Sequence, residues 1–246
     1  MAELNPIIVI PARMHATRLP GKPLADIHGE PMIIHVWRRA MQAGLGPVVV
    51  ACSERDVFDA VHAHGGHAVM TDPDHPSGSD RVWEAVQAID PEGGFDAIVN
   101  VQGDLPTLDP QVIRAVFAPL AEPGVDVSTL VTEITEEEER ANPNVVKAVI
   151  GLRPGQRVGR ALYFSRATVP ANAGPHYHHI GLYAYRRDAL ARFVALPQGV
   201  LEQREKLEQL RALENGMRID CALVDTVPLG VDTPADLERA RALLKA

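Results

Sequence analysis

The feature that most limits the fold of this chain is an alternation in its first 120 or so residues. A short apolar or β-branched run is followed, again and again, by a stretch carrying helix signals. The runs are Ile7-Ile8-Val9-Ile10, Val48-Val49-Val50, Ala68-Val69-Met70 and residues 97–101. Runs this short, without polar alternation, are the mark of strands buried on both faces. After them, residues 31–43 start at a proline and stop at Gly44. Ser53 and Asp56 have the spacing of a capping box for a helix ending near Gly65. Residues 80–89 and about 109–120 continue the series. Strands alternating with helices imply right-handed crossovers and a parallel sheet covered on both faces, an α/β fold. Such sheets bind ligands at the carboxyl ends of their strands. Chemistry is therefore expected in the segments just after the runs.

The pattern changes after about residue 127. Residues 145–150, 161–164 and 179–185 read as strands without long helices between them, which predicts a smaller, partly antiparallel lobe drawn from roughly 128–215. Residues 201–213 read as one amphipathic helix and 222–227 as a return strand. Thr233-Pro234-Ala235-Asp236 opens the last helix, with an N-cap, a proline in the first turn and an acid at the third position. With 46% hydrophobic residues the chain can fill a core, and residues 1–246 are expected to form a single domain that includes the lobe.

Charge and cysteine usage exclude several classes. Lysine plus arginine number 24 against 32 aspartates and glutamates, a net charge of −8, which argues against nucleic acid or an acidic membrane surface as partner. Two cysteines, Cys52 and Cys221, make neither a disulfide framework nor a four-cysteine zinc site. No uncharged apolar run approaches the ~20 residues of a membrane helix. No basic segment with an apolar stretch precedes Ile7, so a cytoplasmic protein is expected.

Against this acidic background the segment after the first run is cationic. From Leu4 to Ala25 there is no acid, yet Arg13, Arg18 and Lys22 are present. Arginine suits bidentate oxygen contacts, lysine is a compact point charge, and Gly21 would let backbone N–H groups approach a phosphate. A solvated basic loop is the plain alternative, and the usual phosphate-loop lysine motif is missing. After the fourth run, Asn100-Val101-Gln102-Gly103-Asp104 places a carboxylate at a strand end, suited to Mg²⁺, and a glutamine able to read a base edge; a simple Asp/Pro turn would look the same. If Thr233 is the N-cap, Asp232 is a spare carboxylate and a second candidate ligand; otherwise Asp232 is itself the cap. Ser77-Gly78-Ser79 offers hydroxyls and free N–H groups to an anion or a base, or is an ordinary N-cap. In residues 179–185, period two puts His179, Gly181, Tyr183 and Tyr185 on one face. That face would bind a polar ligand or pack as an aromatic ladder. Zinc on His176, His178 and His179 matches no usual zinc spacing.

Together and in order, these strings carry a resemblance. Ile10-Pro11-Ala12-Arg13, followed by Thr17-Arg18-Leu19-Pro20-Gly21-Lys22-Pro23-Leu24, resembles the signature of the sugar-acid cytidylyltransferases. Further strings are Ser77-Gly78-Ser79-Asp80-Arg81, Asn142-Pro143-Asn144-Val145-Val146-Lys147, Ala161-Leu162-Tyr163-Phe164-Ser165-Arg166, His179-Ile180-Gly181-Leu182-Tyr183 and Val231-Asp232-Thr233-Pro234. These are similar to the branch of that family that uses 3-deoxy-manno-octulosonate (Kdo). The likeness runs from about residue 7 to 243.

The resemblance implies a Rossmann-like nucleotidyltransferase fold and transfer of CMP from CTP to the anomeric hydroxyl of Kdo. It further implies release of pyrophosphate, Mg²⁺ as cofactor, a role in lipopolysaccharide biosynthesis, and a homodimer formed through the smaller lobe. Arg13, Arg18 and Lys22 would then hold the triphosphate, with Ser77, Arg81 and Gln102 around the cytidine. Asp104 and Asp232 would bind the metal; with Lys22 and Arg13 they form the expected catalytic set. Arg166, His179, Tyr183, Glu208 and Gln209 would face the sugar acid. Leu105 stands where the family usually has glutamate, and the loop before His179 is short. The acceptor is therefore left open toward 8-amino-Kdo or sialic acid, and a non-catalytic nucleotide-sugar binding module is the other reading.

Overall fold

The structure, a computed structural model, describes residues 4–15 and 18–244, so Thr17 of the N-terminal string lies outside the described residues. The chain begins with β1 (Pro6–Ala12), a short hairpin of β2 (Asp26–Ile27) and β3 (Glu30–Pro31), and α1 (Met32–Ala43). There follow β4 (Val48–Cys52), α2 (Arg55–Ala63), β5 (His67–Met70), α3 (Gly78–Ile89), β6 (Ala97–Asn100) and α4 (Pro110–Phe117). β1 lies between β4 and β6, β5 flanks β4, and every one of these pairings is parallel. β4 and β6 are buried at every residue and β1 at all but Pro11, which is why these runs show no alternation.

The second stretch is built differently. β7 (Val127–Glu133), α5 (Glu137–Ala141), β8 (Lys147–Gly151), β9 (Val158–Ser165), β10 (Tyr177–Arg186) and α6 (Arg187–Ala195) are followed by α7 (Val200–Glu205), α8 (Leu210–Glu214) and β11 (Ile219–Leu223). β7 pairs antiparallel with β10 and parallel with β11. β9 pairs antiparallel with β11 and β8, and β8 also reaches β10. The last helix is α9 (Pro234–Leu243). The chain divides into two compact units: one from the stretch up to Arg114 together with the stretch from Pro228 onward, the other Ala115–Val227. The second unit contains the predicted 128–215 lobe. Cys52 and Cys221 are both free and buried.

Several sequence expectations are corrected. Ser53 does not cap α2: the N-cap is Glu54, without a side-chain cap bond, and Asp56 sits in the first helical turn. The single helix over 201–213 is two short helices. Lys206, at φ 58°, ends α7, and the Arg166 guanidinium takes up the carbonyls of Glu205 (2.8 Å) and Lys206 (3.3 Å) that a continuing helix would have used. Glu208 and Gln209 therefore lie in the turn before α8, not on a helix. The return strand is Ile219–Leu223, earlier than 222–227. β7 and α6 were not anticipated.

The first unit also explains how the end of the chain reaches its beginning. Ile27, Met32, Val231, Leu237 and Ala240 form one buried cluster, with Leu19, Ala25, Leu229 and Leu244 packed against it. Arg241 donates through Nε (2.9 Å) and Nη2 (2.6 Å) to the carbonyl of Asp26, and the Val231 N–H donates to the Asp104 carbonyl at 2.9 Å. Apolar packing and backbone bonds thus dock α9 beside the β2–β3 hairpin and the segment after β6. We expect Leu237→Ala to cost about 2–5 kcal/mol and to speed amide exchange in α9 more than in β1 and β4. Uniform exchange changes across the unit would contradict this docking.

Candidate active site

The loop after β1 turns back on itself. Gly21 takes a left-handed conformation (φ 70°), its N–H donates to Met14 O at 3.1 Å, and the 3₁₀ turn Lys22–Leu24 follows. Glycine reaches this backbone region without steric cost, so the turn can tighten here. The turn directs Lys22 inward, and its side chain is mostly buried. Its Nζ donates to Asp104 Oδ2 at 2.8 Å and to Asp232 Oδ1 at 3.1 Å. Arg18 Nη2 meets the other oxygen of Asp232 at 3.0 Å. Burial alone would lower the Lys22 pKa, but the carboxylates of Asp104 and Asp232 outweigh it, and the ammonium stands above the ordinary lysine value.

Asp232 is not the helix cap. Thr233 Oγ1 accepts the Asp236 N–H at 3.2 Å, and Asp236 Oδ2 accepts the Thr233 N–H at 3.0 Å, a closed capping box. That leaves the Asp232 carboxylate to the cations. Ser77 does cap α3: its Oγ accepts the Asp80 N–H at 3.3 Å. These groups surround a cavity of about 440 Å³, and Arg13, Arg18, Lys22, Ser77, Arg81, Gln102, Asp104 and Asp232 all line it. Seven of the eight come from four loops and turns of the first unit, and Arg81 from the first turn of α3.

Two features of this cavity were not read from the sequence. His75 lines it, with Nε2 2.5 Å from Glu84 Oε2, and the same oxygen accepts the Asp72 N–H at 2.9 Å. The only signal was a histidine two residues before the Ser77 cap. Arg81 is almost wholly buried, and its Nη1 donates to Thr71 Oγ1 at 2.5 Å. Burial lowers its pKa and the charge of Glu54 opposes that.

The donor set suits a hard divalent cation. Both carboxylates touch one nitrogen, so a single ion could be held by oxygens of both. Magnesium is commonly held by one or two carboxylates, with water and substrate phosphates completing its shell. Asp104 and Asp232 fit that pattern.

In the second unit, His179, Tyr183 and Gln209 come together and Arg166 is engaged elsewhere. Thr129 donates its one hydroxyl proton toward the carbonyls of Leu182 (2.8 Å) and Ile180 (3.1 Å), so toward His179 Nε2, 3.0 Å away, it accepts. His179 therefore carries its proton on Nε2, and Nδ1 accepts from the Gln209 amide at 3.4 Å. The Tyr183 ring lies 5.6 Å from that of His179 and 5.9 Å from that of Tyr185, which keeps the three on one face as the period-two reading expects. The pairing with β7 shifts register between Ile180 and Tyr183, a bulge the alternation does not reveal. Glu208 lies 3.7 Å from Arg211. Besides its two bonds at the end of α7, the Arg166 guanidinium donates to Pro143 O at 3.0 Å. Glu205, also missed, accepts from Ser165 Oγ (2.8 Å) and from the Arg166 N–H (2.9 Å).

Comparison with known proteins shows the family to which the chain belongs. A family model described as cytidylyltransferase matches residues 7–219. The chain is 92% identical over all of both sequences to a 3-deoxy-manno-octulosonate cytidylyltransferase of Paramagnetospirillum magneticum. It is 72% identical to one of Rhodospirillum rubrum, over 99% of this chain and 97% of that protein. A solved structure of CMP:2-keto-3-deoxy-manno-octonic acid synthetase complexed with CTP superposes with a TM-score of 0.89 at 42% identity, covering 97% of this chain and 98% of that one. A nucleotidyl transferase of Methanothermobacter shares the fold alone, with a TM-score of 0.60 at 18% identity.

Two outcomes are expected. A Cβ on Gly103 would meet the Pro11 carbonyl oxygen at 2.7 Å. Gly103→Ala should therefore displace Asp104 from Lys22 and weaken CTP binding, measured by calorimetry, with little change in melting temperature. Burial, with His178 adding to it, lowers the His179 pKa from 6.5 to about 3, so the folded ring stays neutral. Below pH 6.5 the unfolded chain takes up a proton that the folded chain refuses. Stability then falls with falling pH by up to about 1.4 kcal/mol per unit. His179→Gln should flatten that slope in urea unfolding between about pH 6.5 and 4.5.

Proposed function

Because this chain belongs to the cytidylyltransferase family, we propose that it transfers CMP from CTP to the anomeric hydroxyl of Kdo, forming CMP-Kdo and pyrophosphate. The observation that carries the chemistry is the meeting of Lys22, Asp104 and Asp232 at one cavity that Arg13 and Arg18 also line.

Transfers of this kind need positioning and charge neutralisation more than covalent catalysis. Arg13, Arg18 and Lys22 would grip the triphosphate and stabilise the charge that builds on pyrophosphate as it leaves. Ser77, Arg81 and Gln102 would surround the cytidine. Asp104 and Asp232 would hold Mg²⁺, whose charge would offset that of the phosphates and favour ionisation of the attacking hydroxyl. In the second unit Arg166, Tyr183, Glu208 and Gln209 are the residues proposed for the sugar acid, along with His179. His179 is a poor general base: both ring nitrogens are engaged, one with Thr129 and one with Gln209. Its part is to hold the Gln209 amide in place.

The product would feed lipopolysaccharide biosynthesis. We further propose a cytoplasmic enzyme that works as a homodimer through the second unit; no helix among the described residues is long and apolar enough to cross a membrane.

The direct test is pyrophosphate release from CTP and Mg²⁺ with Kdo, 8-amino-Kdo or sialic acid as acceptor. Turnover with Kdo exceeding the other two supports the assignment, and release that ignores Kdo would remove it. Asp104→Asn should lower kcat by about 100-fold or more while leaving the melting temperature near that of the parent protein.

A further inference from the structure

We propose that in the nucleotide-free protein Lys22 stands between Asp104 and Asp232 as an internal counter-ion, so that divalent ion and triphosphate enter by exchange with it rather than by simple addition. The inference rests on the reading of those two aspartates as the metal ligands.

The geometry is specific. One ammonium reaches Asp104 Oδ2 at 2.8 Å and Asp232 Oδ1 at 3.1 Å, and Arg18 Nη2 takes Asp232 Oδ2 at 3.0 Å. The cations suited to phosphate are thus paired with the acids suited to metal. A magnesium ion sits about 2.1 Å from its oxygens. An ammonium within hydrogen-bond distance of the same two oxygens would face it directly across a partly desolvated space. The two cannot hold these oxygens together at acceptable cost.

The backbones on both sides are fixed. Gly21 sets the turn that carries Lys22, and the Val231 N–H bond to the Asp104 carbonyl ties the two acidic segments to each other. The movable part is the lysine side chain, a flexible four-carbon stem.

Charge pairing then couples the two ligands. With neither bound, Lys22 and Arg18 balance Asp104 and Asp232. A metal ion alone would satisfy the acids and strand two cations. A triphosphate alone would satisfy the cations and strand two acids. Only the pair leaves neither the two cations nor the two acids without a counter-charge, so each ligand raises the affinity for the other, by the same factor in both directions.

Mn²⁺ binding followed by the electron-spin resonance of the free ion tests this without any turnover. Without nucleotide, Lys22→Met should bind Mn²⁺ about tenfold more tightly than the parent protein, a typical coupling of ~1.4 kcal/mol. Arg18→Gln, which loses a contact to one carboxylate only, should move the same way by less. With the α,β-methylene analogue of CTP, corrected for the analogue's own Mn²⁺ affinity, the parent protein should gain more than Lys22→Met does. Circular dichroism checks that each variant is folded. If Lys22→Met binds Mn²⁺ no more tightly than the parent while Asp104→Asn abolishes binding in both backgrounds, the exchange is wrong and the metal site stands. If Asp104→Asn and Asp232→Asn both leave Mn²⁺ binding unchanged, the metal assignment fails and the exchange fails with it.

Discussion

A single ammonium shared by two carboxylates organises the first unit. Lys22 lies 82 residues from Asp104 and 210 from Asp232, yet its nitrogen bonds to both. Three loops must arrive together for this to happen, and each is delivered by a different device. The parallel sheet brings the segments after β1 and β6 to neighbouring carboxyl ends, because β1 and β6 pair directly. The third loop has no strand to carry it. It is delivered by α9, which a small apolar cluster and the Arg241–Asp26 bonds hold beside the hairpin. Two acids brought this close repel each other, and partial burial sharpens the repulsion. The lysine between them is what makes the convergence tolerable, and the raised Lys22 pKa is the same fact seen from the cation's side.

The second unit gathers neutral groups around His179. His179 sits neutral between Thr129 and Gln209, and Tyr183 stands beside it with a phenol that burial pushes well above the ordinary value. Several cations of this unit also hold its architecture. Lys147, fully buried, donates to Asn142 O at 2.8 Å. Arg166 closes the end of α7, and Arg211 forms a two-pronged bond to Glu202 with both side chains nearly inaccessible. Breaking such a buried pair leaves a stranded charge, so these bonds restrict the turn carrying Glu208 and Gln209 more firmly than short helices would alone.

The sequence made the first unit readable because its strands are buried on both faces and most of its helices begin or end at local signals, the start of α2 being the exception. The Thr233-Pro234-Ala235-Asp236 string is a complete capping box, and the structure builds it as spelled. Where the deciding partner is remote, legibility stops. Nothing between residues 201 and 213 announces that Arg166 will take the carbonyls at the end of α7, so one helix was expected where two stand. β7 hides for a related reason. Val127-Ser128-Thr129-Leu130 puts two polar residues side by side and so shows no strand alternation, yet both are buried, and Thr129 bonds to the bulged strand β10. The structure brings the residues singled out in these loops to one cavity, but that Asp232 would pair with Lys22 and Arg18 was a matter of tertiary docking, not of spacing.

The cationic loop of an acidic protein can now be understood as a matter of balance. A site built only to attract phosphate would need its arginines and lysine free, and a site built only to hold metal would need its acids free. Each alone would carry a local charge that the surrounding apolar sheet stabilises poorly. Interleaving them gives a junction that is neutral at rest and strongly charged in both senses when its ligands enter. The cost is that neither ligand meets a vacant partner, so intrinsic affinity for each is reduced by the pairing it must break. In return, the proposed exchange would penalise half-loaded states, in which nucleotide is bound without a metal ion. Selectivity for the complete complex thus follows from where four charged side chains are placed.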